Sequence, residues 1–383
     1  MLFQTPELTG QETEIVRQIE RIRETLRHQL PEQRRWVGLL RRVTLARAIR
    51  GSNSIEGYNV SLDDAVAAVA DGEPIDAERE SWMAVIAYRD AMSYVLQLAD
   101  DAHFRYDESL IRSLHYIMLR YDPSKSPGRW RPGSIHVLDE RTKEIVYTGP
   151  EAVTVADLMA DLVGELQGED PGLPPIVRAA MAHLNLVMIH PFRDGNGRMA
   201  RCLQTLVLAR GGILDAVFSS IEEYLGENTD AYYAVLAEVA GGQWQPTRDA
   251  RPWLRFVLTA HYRQALTLVR RAEESERRWN LVVEETRRSG LPNRTAAPLF
   301  NASMGFRLRN AQYRELADVA DATAGRDLRA LTQAGLLVAV GDRRARIYVP
   351  SDRLRAIDAS ARSARTPISD PFDLVSETLP LGL

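Results

Sequence analysis

His190-Pro191-Phe192-Arg193-Asp194-Gly195-Asn196-Gly197-Arg198-Met199-Ala200-Arg201 is the stretch on which the reading of this chain turns. The run Pro175–Met188, with proline at its start, reads as a helix that ends near His190. A tight loop with two glycines then leads into a second helix, Gly197–Ala209, closed by Gly211-Gly212. Glycines let backbone N–H groups turn inward and approach a ligand without interference from a Cβ. The first turn of the second helix adds unpaired N–H groups and the positive end of its dipole, which makes an anion site. Arg198 and Arg201 lie on one face of that helix, over the site. Two guanidinium groups there suit a polyphosphate better than a single carboxylate. Asp194 adds one hard oxygen ligand, the usual protein contribution to a phosphate-bound Mg²⁺. His190 is the one loop residue that titrates near neutral pH and could take a proton from an attacking hydroxyl. Each piece alone has a plain structural reading, as a cap or an ordinary turn; their combination within one short stretch does not. The GxxxxGK[ST] spacing of a Walker A loop and its lysine are absent.

The rest of the chain sets limits. Its 383 residues suggest two or three domains, and 45% apolar with 26% charged residues fits a globular protein with a full core. A net charge of -4 excludes a chain that binds nucleic acid by overall charge. The single cysteine, Cys202, excludes a disulfide framework and a cysteine zinc site. No secretory signal and no bilayer-length apolar run is visible, so the expected location is cytoplasmic, with no membrane partner.

Helical spacing of apolar residues recurs from Glu7 to Arg50, broken by Pro31, and again at Leu62–Ala70, Ala77–Leu98 and Glu108–Leu119. Ser134–Leu138 and Glu144–Tyr147 read instead as a β-hairpin. Helices return at Val153–Leu166, Asp230–Val239 and Pro252–Arg271, and a charged helix, Glu273–Arg288, follows as a linker. Between Leu291 and Ile357 the order helix, helix, hairpin describes a winged helix-turn-helix, with Ala324, Leu328 and Leu331 as the buried stripe of its second helix and Gly335 as a left-handed cap. From Asp358 the small and polar residues and three prolines predict a disordered tail.

The stretch His190–Arg201 resembles the Fic motif HxFx(D/E)GNGRxxR at every specified position. The resemblance runs from about Arg50 to Phe256 and implies a Fic (Fido) family protein adenylyltransferase. By it, the fold is mainly α, a Fic helical core with a β-hairpin flap plus the C-terminal winged helix. The division is then 1–105, carrying an inhibitory motif; 106–256, the catalytic core; 257–290, a linker; 291–357, the winged helix; and 358–383, the tail. The resemblance implies His190 as general base and Phe192 as loop anchor. It makes Asp194 the Mg²⁺ (or Mn²⁺) ligand and gives the phosphates of ATP to Gly195, Asn196, Gly197, Arg198 and Arg201. Ser52-Asn53-Ser54-Ile55-Glu56-Gly57 resembles the inhibitory motif (S/T)xxxE(G/N), so Ser52, Glu56 and Gly57 are implied as a brake in which Glu56 pairs with Arg201. Position also makes the hairpin, with Ser134, Ile135, His136, Val137 and Tyr147, a flap that aligns a target segment by strand addition. Tyr232 and Tyr233 fall where relatives place tyrosines near the adenine, although Ala240 stands where some have asparagine.

The implied reaction moves AMP from ATP to a Tyr, Thr or Ser hydroxyl of a target protein. Two other readings stand beside it: a DNA-binding regulator with a nucleotide-sensing core, and an enzyme that removes AMP. Arg326, Arg329, Arg343 and Arg344 could meet DNA phosphates, or the winged helix could be a protein-docking module. A homodimer is common among relatives.

Overall fold

A computed structural model describes residues 1–31, 33–138, 142–168, 170, 172–212, 216–342, 346–364 and 366–378. The order begins α1 (Gly10–Gln29), α2 (Arg35–Ile55), α3 (Leu62–Val69), α4 (Arg79–Leu98), α5 (Glu108–Leu119), β1 (His136–Leu138) and β2 (Ile145–Thr148). It continues with α6 (Val155–Gln167), α7 (Pro175–Ile189), α8 (Asn196–Arg210), α9 (Ala216–Ser219), α10 (Glu222–Glu227), α11 (Thr229–Ala240) and α12 (Arg251–Arg288). The C-terminal part holds α13 (Ala296–Ser303), α14 (Asn310–Ala317), α15 (Asp321–Gln333), β3 (Leu337–Val340), β4 (Ile347–Pro350), α16 (Asp352–Ala361) and α17 (Pro371–Thr378). The fold is mainly α, with two small two-stranded sheets among the described residues.

Apolar spacing decides how these helices pack. Helix α7 is apolar on every side and is buried accordingly, from Ile176 to Ile189, against α8. Around this pair one core gathers Ile15 and Ile19 of α1, Val43 and Ile49 of α2, Val85 and Tyr88 of α4, Leu114 and Met118 of α5, and Trp253 and Val257 of α12. A second core joins Leu26 of α1 and Trp36 and Leu40 of α2 to Leu268 and Val282 of α12, Phe300 of α13, Leu328 of α15 and Leu354 of α16. Helices α1, α2 and α12 therefore run through both. Residues 257–288 of the segment expected as a linker belong to one continuous 38-residue helix whose first half lies in the first core and second half in the second. Each large apolar side chain buried this way contributes roughly 1.5–3 kcal/mol.

The predicted disordered tail is a correction. Residues 358–361 complete α16, where the buried Asp358 receives Arg278, and α17 lays a fully buried Val375 against the first core. Arg255 sits over the Phe372 ring of the same helix. A few well-spaced apolar residues, Ile368, Phe372 and Val375, anchor a segment whose average composition is polar. In the C-terminal unit α14 and α15 precede the antiparallel pair β3–β4, and Gly335 takes φ +69 after α15. Ala324, Leu328 and Leu331 are fully buried. No helix among the described residues is long and apolar enough to cross a membrane.

Candidate functional site

Helix α7 ends at Ile189 and His190 turns the chain with left-handed angles, φ 51 and ψ 58. Its amide still donates to Leu186 at 3.0 Å, so the backbone of this residue is fixed at the helix end. His190 Nδ1 lies 3.1 Å from the Val187 carbonyl oxygen. A carbonyl only accepts, so Nδ1 carries the hydrogen and Nε2 keeps its lone pair. Burial is the main cause holding the His190 imidazole below its ordinary range, so the ring is neutral near pH 7. That is the state a base requires.

The loop after it is held from below. Phe192 is fully buried and stacks on His115 with ring centroids 3.6 Å apart and 3° between planes. Asn196 exchanges two hydrogen bonds with the Phe192 backbone, each 2.9 Å. Its side chain is thus spent on closing the loop, and what the nest offers an anion at this position is backbone. His115 accepts from the Gly128 amide at Nδ1 (2.8 Å), so Nε2 bears the hydrogen and donates to the Asp194 carbonyl at 2.9 Å. Burial drives the His115 pKa down to about 4. Gly195 sits at φ +76, and a Cβ there would stand 2.9 Å from Leu119, so both conformation and space call for glycine.

Arg131 was not singled out from sequence. Its buried guanidinium donates only to carbonyls: His190 at 2.8 Å, Gly133 at 2.7 Å, Pro150 at 2.6 Å and Ile189 at 3.5 Å. It ties the base of the hairpin to the loop that carries His190. Tyr147 corrects the flap reading in part: it is buried, and its hydroxyl donates to the Met188 carbonyl at 2.6 Å, so it anchors the hairpin instead of facing a target. Ser134 and His136 are exposed, Ile135 and Val137 half-buried. Strand β2 is flanked by residues 242–244, which leaves β1 at the edge of its sheet.

Helix α8 starts at Asn196 with no side-chain cap on its first-turn amides. Arg198, in the first turn, and Arg201, in the second, are buried at 0% and 1% exposure. Nε and Nη2 of Arg198 and Nη1 of Arg201 have no hydrogen-bond partner among the described residues. A buried donor left unmet costs about 1–3 kcal/mol, so three of them beside open helix amides mark a place built for an anion. Asp194, at the lip, faces Lys125 at 3.1 Å and Arg198 at 3.5 Å and is partly exposed. No group of three or more His, Cys, Asp or Glu that could enclose a metal occurs among the described residues. A cation here would take one carboxylate and ligand oxygens, as a phosphate-bound Mg²⁺ does.

Across the nest stands the end of α2. Glu56 Oε1 lies 2.7 Å from Arg201 Nη2, and Ser52 receives Arg201 Nε at Oγ (2.7 Å) and Nη2 at its carbonyl (2.9 Å). A Cβ on Gly197 would collide with Glu56 Oε1, so the carboxylate rests directly on the first turn of α8. Gly57 takes φ +83 and lets the chain leave sharply after it. The segment is aimed by a close helix crossing: a Cβ at Gly51 would stand 2.5 Å from the Glu222 carbonyl, and one at Gly226 would stand 2.6 Å from Gly51 Cα. Nearby, buried Glu222 accepts from Tyr88 and Thr205, each at 3.0 Å, and desolvation lifts its pKa to about 7.

Tyr232 is a second correction. It is 1% exposed and hydrogen-bonded to His183 at 3.0 Å, so its ring is packed in the core. Tyr233 is exposed and its hydroxyl donates to the Ile55 carbonyl at 3.2 Å, at the rim beside Glu56. Arg326 and Arg329 are exposed on α15, far in sequence from this cluster, while Arg343 and Arg344 lie outside the described residues.

The neutral histidine, the glycine nest and the two buried guanidinium groups that keep unmet donors all fall within residues 105–208, which match the Fic/DOC family. Over those residues the chain is similar to a Fic domain. It is 34% identical over 131 residues to protein adenylyltransferase fic-1 of Caenorhabditis elegans, covering 34% of this chain and 20% of that one. It is 29% identical over 216 residues to protein adenylyltransferase Fic of Nematostella vectensis, covering 54% of this chain and 44% of that one. The chain thus spans less than half the length of these curated relatives. Among solved structures, a Fic family protein from Desulfovibrio desulfuricans G20 superposes with a TM-score of 0.58 at 22% identity, covering 91% of this chain and 98% of that one. A segment of Fic-1 from C. elegans gives 0.51 at 25% identity, covering 67% of this chain and 71% of that one.

Proposed function

We propose that this protein transfers AMP from ATP to a hydroxyl of a target protein, and that Glu56 restrains the reaction. The observation that carries the reading is the pair of buried arginines with unmet donors in the first two turns of α8, beside a neutral His190. The target hydroxyl gives its proton to His190 Nε2 as its oxygen attacks the α-phosphorus. The bond to the bridging oxygen breaks and pyrophosphate leaves. Arg198, Arg201 and the α8 amides bind the β- and γ-phosphates and hold the α-phosphorus in line. Mg²⁺ at Asp194 would neutralise charge on the phosphates. The neutral base accounts for about 10²–10⁴-fold of the rate. The edge of β1 offers its backbone to an extended target segment. The C-terminal unit is read as a winged helix that selects targets or location, with Arg326 and Arg329 as its exposed cations. A cytoplasmic location belongs to the same proposal.

The test uses wild type, Glu56→Gly and Glu56→Gly/His190→Ala with α-labelled ATP, Mg²⁺ and cell lysate. Protein-bound label in Glu56→Gly that the second substitution removes is the expected result. Label absent from every variant, with ATP still bound, refutes transfer.

A further inference from the structure

Arg198 and Arg201 account for two of the cations at the nest, and a third stands beside them outside the motif. Lys125 ends the short 3₁₀ turn Pro123–Lys125 and is only 18% exposed along its side chain. Its Nζ lies 3.1 Å from Asp194 Oδ2 and donates to the Tyr58 hydroxyl at 2.7 Å. The Tyr58 ring covers both cations, with Lys125 Nζ 5.4 Å and the Arg198 guanidinium 4.9 Å from its centroid. Tyr58 follows Glu56 by two residues, across the sharp turn at Gly57.

Charge counting makes this cluster informative. In the closed arrangement Lys125, Arg198 and Arg201 face the carboxylates of Asp194 and Glu56, with Asp122 farther off at 3.9 Å from Lys125. Moving Glu56 away leaves the cations in excess, as a triphosphate requires. Tyr58 travels with Glu56 on the same short segment, so release of the carboxylate also uncovers Arg198 and Lys125. We infer that Lys125 is a third phosphate-binding residue of the nucleotide site and that Tyr58 is the lid that keeps it and Arg198 covered while Glu56 is in place. The inference rests on the nucleotide site proposed above and adds two residues to it. A lysine that only neutralised Asp194 predicts a different pattern: its loss would weaken phosphate binding in EDTA, where the carboxylate is left bare, but not with Mg²⁺, where a divalent cation covers that carboxylate.

The experiment is calorimetric titration of the full chain with tripolyphosphate and with ATP. It is done first in EDTA, so that Lys125 is read without a divalent cation, and then with Mg²⁺. In the Glu56→Gly background, Lys125→Met is expected to weaken both ligands about tenfold, with and without Mg²⁺, and Lys125→Arg to restore affinity to within about threefold. In the Glu56-containing chain, Tyr58→Ala is expected to tighten tripolyphosphate about fivefold by removing the ring from two cations. Lys125→Gln gives a second reading if the Met variant melts early. Affinity with Mg²⁺ that is unchanged in both Lys125→Met and Lys125→Gln overturns the role of Lys125, and unchanged affinity in Tyr58→Ala overturns the lid. Failure of Glu56→Gly itself to bind either ligand would instead overturn the nucleotide site, and this inference with it.

Discussion

Removing the Glu56 carboxylate in two steps measures how strongly the α2 segment closes the site. Glu56 Oε1 meets a fully buried Arg201 at 2.7 Å while its own side chain keeps 23% exposure. A hydrogen bond to a charged group contributes about 1.5–3 kcal/mol net, so a phosphate that must replace it loses roughly 10- to 150-fold in affinity, at 1.4 kcal/mol per tenfold. Glu56→Gln keeps the shape and a hydrogen bond from the charged Arg201, now to a neutral acceptor and worth about 1.5 kcal/mol, and is expected to recover only part of that, about five- to tenfold. Glu56→Gly removes the group and clears the space above Gly197, and is expected to recover the full range. ATP affinity by calorimetry and protein labelling with α-labelled ATP should rank Gly above Gln above wild type. Ser52 still receives Arg201 in both variants, so the arginine is not left wholly unpaired. Equal affinity in all three folded proteins refutes a brake built on this ion pair.

Gly51→Ala should act on the same brake from behind. Its Cβ would stand 2.5 Å from the Glu222 carbonyl, a backbone atom, so α2 must shift, at a cost of about 1–3 kcal/mol; a lower melting temperature with tighter ATP binding is expected, and unchanged melting contradicts the crossing. His115 gives a pH prediction. Its pKa is about 4 when folded against 6.5 unfolded, so between those values only the unfolded chain takes up the proton, and stability falls as pH drops through the window, by up to about 3 kcal/mol. Glu222 has the opposite sign: with its pKa lifted from 4.5 to about 7, its share is present at low pH and is lost as pH rises through 7. Denaturant unfolding from pH 7 to 4.5 should show a slope shallower by nearly one proton in His115→Gln, and an unchanged slope would sink the assignment.

Much of this protein was legible in its sequence because the chemistry is local. His190, Asp194, the two glycines and the two arginines lie within one loop and one helical turn, so residue type and spacing were enough to propose an anion site. Helix α7 was equally plain from its apolar composition and initial proline. Contacts made across the chain were not legible. Glu56 reaches Arg201 over 145 residues, and only a short resemblance hinted at the pair. Arg131 and His115 left no pattern at all, since their partners are backbone carbonyls and amides that every residue possesses. The side of the hairpin that Tyr147 faces depends on strand phase, and Tyr232 needed its neighbours to be seen as core. The average composition of the tail points to disorder, whereas docking needs only a few apolar residues at the right spacing. The sequence by itself determined the helical core and the chemical groups of the site, because periodicity and residue type are local properties. Which cations are covered, by Glu56 and by Tyr58, was decided only by tertiary structure, because that depends on a close crossing of α2 and α10 that glycines permit but do not announce.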